Sequence, residues 1–248
     1  MCRLLGIVAS PHVDLGLLEA FAELAVTGNT PEGGPDARGH ADGWGLAVFR
    51  DGALVDYARG LGAANHDARF REHARSLADG PAIVIAHLRR ASEKMPVSPR
   101  WSHPFVETRG GRTWAFAHNG GLTHYVFDEE DGLIDSQVLF REILAHLDGP
   151  APEDVARATA AMAETAKTVY GGYSALDFLM TDGTRLHAFR EFAASERNEA
   201  YYTLNHGRAD ASVIICSETT RGVAGTEVPK GVLLSVNADG SFFKTQVL

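Results

Sequence analysis

Apolar and polar positions along the chain follow two periods, and the change from one to the other marks where the elements change. CRLLGIVAS (2–10) is a near-continuous aliphatic run closed by Ser-Pro, which predicts a buried first strand. VDLGLLEAFAELAV (13–26) spaces its apolar residues three and four apart and predicts a helix, whereas TGNTPEGGPDARGHADG (27–43) collects Gly, Pro, Asn and Asp into a loop. WGLAVFRDGALVDYARG (44–60) predicts a hairpin turning at Asp51-Gly52, AIVIAHLRRAS (82–92) a buried strand running into a loop, and RTWAFAHNGGL (112–122) a strand ending at a turn. Helical spacing returns in DSQVLFREILAHL (135–147) and in PEDVARATAAMAETAKTVY (152–170), the second opened by a Pro-Glu-Asp start signal. Strands follow again: YSALDFLMTDGTRLHAFR (173–190) about Asp182-Gly183, then ASVIICSE (211–218) and KGVLLSVNADGSFFKTQVL (230–248). Strands, two central helices and more strands predict antiparallel sheets covered by helices, an α+β fold. No repeat or linker divides residues 1–248, so a single domain is expected.

Composition narrows the classes of function. The 248 residues are 45% hydrophobic, enough for a sizeable core. A net charge of −9 without a basic stripe argues against nucleic acid as a partner. No apolar run approaches the roughly 20 residues of a membrane span, and the first residues lack the charged start and long apolar run of a secretory signal. With only two cysteines, a reducing, cytoplasmic setting is expected.

Position 2 changes the picture. Removal of Met1, favoured when a small side chain follows, would leave Cys2 with a thiol and a free α-amine on one residue. That α-amine has a reference pKa of about 8, so it can serve as the base for its own thiol. Two strand ends supply further candidates. Asn119 and Gly120 can point a side-chain amide and a backbone N–H at one developing oxyanion. Arg89, at the end of AIVIAHLR, has the planar fork that suits a carboxylate, and Asp135 at a helix start can accept from an ammonium group. Arginine for a carboxylate and aspartate for an amine together describe an α-amino acid head group, and hence a glutamine-like substrate. A plain N-cap is the structural alternative for Asp135, a hairpin turn the alternative for Asn119-Gly120, and a buried core residue the alternative for Cys2. Cys216 is expected in the core, and Trp44 with its flanking glycines in packing and close backbone approach.

These motifs, in this order, resemble the class II glutamine amidotransferase domain, an N-terminal nucleophile hydrolase. Cys2 matches its nucleophile, AHLR its His-x-Arg strand end, HNGG its Asn-Gly oxyanion pair, and DSQVLFREI its Asp-Ser/Thr-Glu helix start with Gln137 in place of Glu. DGWGLAVF (42–49), SHPF (102–105), GGYSALDFLMTDG (171–183) and ICSE (215–218) extend the likeness over nearly the whole chain. The resemblance implies a four-layer αββα sandwich, catalytic Cys2, Asn119 and Gly120, and substrate-facing Arg89, Asp135 and His103, the last standing where many members carry Gln. It implies a γ-glutamyl thioester formed on Cys2 from glutamine or a γ-glutamyl compound, and a segment at 90–102 that closes over the substrate. A free-standing domain resembles the γ-glutamyl hydrolases of ergothioneine biosynthesis and glutathione degradation; a glutaminase would instead need a separate ammonia-accepting enzyme. The loop at 27–43 is the expected leaving-group pocket. Two rival readings stand beside this one. A metal-dependent hydrolase finds support only in eleven histidines and a His40/Asp42 step, without tight ligand spacing, so no metal and no cofactor are expected. The other is a non-catalytic glutamine-binding or partner-docking module with a blocked N-terminus.

Overall fold

The computed structural model describes residues 2–31, 39–77, 80–92, 95–219 and 225–248. Among them, thirteen strands form two antiparallel sheets. The first holds β1 (Arg3–Ala9), β2 (Gly43–Arg50), β3 (Ala53–Gly60), β4 (Ala82–Arg89), β9 (Asn205–Ala209), β10 (Ser212–Cys216) and β11 (Thr226–Glu227), in the order β11-β9-β10-β1-β4-β2-β3. The second holds β5 (Phe105–Arg109), β6 (Arg112–Leu122), β7 (Tyr173–Thr181), β8 (Arg185–Arg190), β12 (Val232–Asn237) and β13 (Phe242–Gln246), in the order β13-β12-β8-β7-β6-β5. Helices α1 (Leu15–Thr27) and α2 (Ala68–Ser76) lie on the first sheet, α3 (Asp135–Ala145) and α4 (Pro152–Thr168) on the second, and the short α5 (Glu196–Tyr201) follows β8.

Side-chain alternation assigns the layers. In β1, Leu5, Ile7 and Ala9 pack under α1 with Leu17, Leu18 and Phe21, while Leu4 and Val8 turn to the space between the sheets. Ile83 and Ile85 of β4 meet Ala115 and Ala117 of β6 in that same space. Phe116, Phe178 and Phe189 pack outward against Phe140, Ile143 and Met162 of α3 and α4. The result is the expected four-layer αββα sandwich, whose inner layer carries residues 4, 83, 85, 115 and 117.

The predicted hairpins turn where expected. Asp51 (φ 48°) and Gly52 (φ 77°) join β2 to β3 with both central residues at positive φ, as a two-residue hairpin requires. Five elements left no clear pattern in the sequence. α2 buries only Phe70 and Ala74 of nine residues, α5 is a six-residue turn of helix, and β5, β9 and β11 are short and mostly polar. Tertiary pairing, rather than any apolar stripe of their own, orders them.

Candidate active site

The period of two that builds the inner layer also builds the site. Continuing the inner face of β1 back from Leu4 reaches Cys2; continuing β4 beyond Ile83 and Ile85 reaches His87 and Arg89; continuing β6 beyond Ala115 and Ala117 reaches Asn119. At these strand ends the aliphatic residues give way to polar ones, and four chemically active side chains converge. Cys2, Arg89, His103, His118, Gly120 and Asp135 line one small cleft of about 30 Å³ that opens to solvent. A larger hollow of about 250 Å³ between α1 and α2 is lined by no nucleophile.

Cys2 is buried and carries a free thiol. Its backbone nitrogen donates to Asn119 Oδ1 at 2.7 Å, and Tyr201 Oη donates to its carbonyl at 3.4 Å. The next residue anchors the end of the strand. Arg3, 2% exposed, pairs through Nε with Glu218 at 2.7 Å, donates from Nη2 to the Asn29 carbonyl and lies 4.4 Å over the Tyr201 ring. Ser217 brackets Leu4, its N–H donating to the Leu4 carbonyl at 3.0 Å and its Oγ accepting from the Leu4 N–H at 2.9 Å. Glu218 and Ser217 belong to the ICSE motif, so the distant C-terminal segment holds the N-terminus in register.

Asn119 is fully buried, and its Nδ2 has no hydrogen-bond partner among the described residues. Asn119-Gly120 is no hairpin turn: both residues lie within β6, paired with Asp177 and Leu176 of β7, with a bulge before Leu122. Gly120 has φ 150°, and a Cβ there would run into the Ala175 carbonyl, so only glycine fits. Arg89 donates from Nη2 to the Pro96 carbonyl at 2.8 Å, while its buried Nη1 is unpartnered. Burial pulls the guanidinium below its ordinary pKa, against the opposing charges of Cys2, Asp42 and Asp135; it stays cationic at neutral pH. Arg90 also borders the cleft, and its guanidinium donates to the Gly39 carbonyl at 3.3 Å.

Asp135 is the first residue of α3 and not its cap, which is Ile134. Its Oδ2 accepts from the Leu122 N–H at 3.2 Å and its Oδ1 from the Ser136 N–H at 2.8 Å, and a carboxylate keeps lone pairs beyond these. Gln137 Oε1 reaches back to the Ile134 N–H at 3.2 Å, a task that Gln performs as well as Glu. His118 bonds Ser136 Oγ through Nδ1 (2.9 Å) and the Ala175 carbonyl through Nε2 (3.2 Å). A carbonyl only accepts, so Nε2 carries the proton and Nδ1 receives the serine hydroxyl. Burial lowers this histidine to about 4, although Asp135 favours its charged form.

His103 and a residue to which the sequence reading gave no role, His87, complete the floor. Their rings lie 4.3 Å apart, and His103 also packs 4.5 Å from Phe105. Both are buried, and none of their four ring nitrogens makes a hydrogen bond of ordinary geometry. Burial pushes both pKa values well below the usual histidine range; Arg89 adds to the effect on each, and the His118 backbone partly offsets it at His87. The signal for His87 was present in AHLR, because residues two apart on a strand share a face and Arg89 already marked that face. Gly45 lets the His103 backbone approach β2, as a Cβ would strike the His103 carbonyl. Trp44 packs in the core and donates from Nε1 to Asp67 at 3.0 Å. Cys216 is buried in the first sheet's outer cluster, where burial raises its thiol to about 11.

Of the 90–102 segment, Arg90, Ala91, Ser92 and Met95 line the cleft, and Trp101 Nε1 ties its far end to the Gly132 carbonyl at 2.9 Å; residues 93–94 lie outside the described residues. Most of the expected leaving-group loop, 32–38, also lies outside them. No described helix is long and apolar enough to cross a membrane.

Two stacked antiparallel sheets covered by helices, with Cys2 at their mouth, give the fold of the N-terminal nucleophile hydrolases. Over its whole length the chain superposes on the allosteric regulatory enzyme of purine biosynthesis at a TM-score of 0.69, with 19% identity and 49% of that chain covered. A glutamine aminotransferase class-II domain protein from Silicibacter pomeroyi matches at 0.63 with 20% identity, over 99% of both chains. YafJ of Escherichia coli is 30% identical over 128 residues, which is 50% of this chain and 45% of that one. The class II glutamine amidotransferase family model matches residues 1–223, and the chain belongs to this family. It spans about half the length of the curated relatives it matches.

Proposed function

We propose that this chain is a γ-glutamyl amide hydrolase that uses Cys2, exposed by removal of Met1, as its nucleophile. The observation that carries the reading is the Cys2–Asn119 contact: the nitrogen of the nucleophile is held at 2.7 Å by one end of a buried amide whose other end is an unused donor. The neutral α-amine accepts the thiol proton, and the thiolate electron pair adds to the γ-carbonyl carbon. Negative charge develops on the carbonyl oxygen, where Asn119 Nδ2 and the Gly120 N–H receive it. Collapse breaks the C–N bond, the leaving amine takes the proton from the α-ammonium, and a γ-glutamyl thioester remains. Water, deprotonated by the same amine, adds to the thioester carbon; collapse expels the thiolate, which takes the proton back from the α-ammonium, and the γ-carboxylic acid released gives its proton to solvent.

Arg89 binds the substrate α-carboxylate and Asp135 its α-ammonium, with His103 packed beside them. Segment 90–102 closes over the bound head group, which its lining of the cleft supports. Residues 1–248 act as one domain. Free glutamine would release ammonia for a separate acceptor enzyme, and a γ-glutamyl conjugate would release its own amine.

The test is covalent labelling of untagged protein with a diazo-ketone analogue of glutamine, followed by peptide mass spectrometry. A single adduct on Cys2, with Met1 absent and labelling suppressed in Arg89→Ala, is expected. An unlabelled Cys2 in fully processed protein overturns the proposal and favours the non-catalytic module.

A further inference from the structure

The catalytic reading uses Cys2 but gives no chemical step to His87 or His103, which lie beside it. His87 and His103 are buried, their rings lie 4.3 Å apart and tilted by 48°, and, beyond a loose approach of the His118 backbone to His87, none of their ring nitrogens has a hydrogen-bond partner among the described residues. Buried imidazoles are normally satisfied, and each exception calls for a reason. Their nearest chemistry is the thiol: Cys2 Sγ and one nitrogen from each ring all lie within 4.8 Å of one another. We propose that Cys2, His87 and His103 form a site for a thiophilic divalent cation, Zn²⁺ in particular, and that occupancy of this site reversibly silences the nucleophile.

One thiolate and two neutral imidazoles suit Zn²⁺ in charge and softness. In tetrahedral zinc the S and N donors stand about 3.3–3.6 Å apart, so atoms within 4.8 Å of one another need to close by no more than about 1.2–1.5 Å. The fourth position falls to the Cys2 α-amine, which forms a five-membered chelate ring with its own Sγ once Met1 is gone, or to water. Binding forms a Zn–S bond from the sulfur lone pair that would attack substrate, and the thiol proton passes to solvent. No redox change is involved. The sequence expectation of no metal rests on the lack of ligands close together in sequence; these three stand at positions 2, 87 and 103 and are brought together by the pairing of β1 with β4 and by the close approach of the His103 backbone to Gly45 of β2. Binding itself requires only this geometry, whereas the inhibitory consequence rests on the proposed role of Cys2.

Chelator-treated, reduced, full-length protein titrated with Co²⁺ reads the site directly. One equivalent should give a thiolate-to-cobalt charge-transfer band together with the intense visible bands of four-coordinate cobalt, both abolished by Zn²⁺ in competition. Cys2→Ser should remove the charge-transfer band and Cys216→Ala should keep it. His87→Gln and His103→Gln should each weaken binding by at least about 10–100-fold, the amount that even an outer partner of a metal site is worth. X-ray absorption on the zinc-loaded unmutated chain needs no variant: it should show one sulfur at about 2.3 Å and nitrogens at about 2.0–2.1 Å. A spectrum without sulfur, or binding indifferent to the two histidines, overturns the site. Diazo-ketone labelling separates the two claims: labelling blocked by Zn²⁺ and restored by chelator supports the inhibitory role. Labelling unaffected by saturating Zn²⁺ overturns that role, and a cobalt signal on a chain that never labels keeps the metal site while removing the hydrolase.

Discussion

Asn119→Ala separates the two ends of one buried amide. In the free protein Oδ1 holds the Cys2 nitrogen and Nδ2 is unpaired. Losing the Oδ1 acceptor leaves the buried Cys2 N–H unpaired and costs about 1–3 kcal/mol of folding stability, but removing a desolvated, unpaired donor returns about 1–3 kcal/mol, with a small cavity left behind. The expected net change is about 1 kcal/mol or less, a shift in Tm of no more than about 2–4 °C for a chain of this size. Catalysis should respond very differently. With the oxyanion formed, Nδ2 becomes a donor in a water-poor site, and removing one such donor lowers kcat by about 10²–10³-fold, or 2.7–4 kcal/mol. KM should change little, because the ground-state carbonyl gains little from a donor placed for the tetrahedral oxygen. Asn119→Asp, which keeps an oxygen toward Cys2 but exchanges the donor for an acceptor, should fall at least as far. The assay is steady-state hydrolysis of glutamine and of a chromogenic γ-glutamyl anilide beside thermal unfolding. A kcat within about fivefold of the parent, or a loss expressed wholly in KM, would refute the assignment of Nδ2 to the oxyanion.

Arg89→Lys replaces a planar fork with a point charge, so KM should rise about 10–100-fold with a smaller effect on kcat, as expected for a lost charge-assisted bond to a carboxylate; an unchanged KM would remove Arg89 from substrate binding. Glu218→Ala strips the buried Arg3 of its partner and should cost about 2–3 kcal/mol, less than for a fully buried pair because Glu218 is partly exposed; denaturant unfolding and a slower diazo-ketone labelling rate report the loosened N-terminus. Acid stability offers a third check through His187, fully buried, bonded to Ser235 Oγ and lowered by burial to about 4. Because the unfolded chain binds this proton from about pH 6.5 downward and the folded chain only near 4, stability is full above pH 6.5 and drains away between 6.5 and 4. His187→Phe should therefore reduce the stability lost between pH 7 and 4.5 by about 2–3 kcal/mol, read as the difference between the two unfolding curves; equal losses would contradict it. Asp177, whose pKa burial raises, opposes the overall acid slope in both proteins and cancels in that difference.

The aliphatic runs of CRLLGIVA and AIVIAHL, the helical spacing of DSQVLFREIL and the turn at Asp51-Gly52 are local properties, and they are legible because each element's own apolar residues are the ones it buries. The strand period of two carried the site: it placed Arg89 at the end of an inward face, and it could have placed His87 beside it. Cys2, Asn119, Gly120 and Asp135 could be singled out from residue type and motif order, since the chemistry of an N-terminal thiol and an Asn-Gly pair is written in the residues themselves. The sequence could not show whether those residues meet. Asn119-Gly120 looks like a turn and lies in a strand, because β7 pairs along it and the Ala175 carbonyl fills the space a side chain would need. Asp135 looks like a helix cap and is the first helical residue, because Leu122 across the bulge claims its carboxylate. The polar strands β5 and β9 and the helix α2 exist only through their neighbours. Above all, residues 2, 87, 103 and 119 come within reach of one another through the stacking of two sheets, a long-range consequence of burying a shared apolar layer that no local pattern encodes.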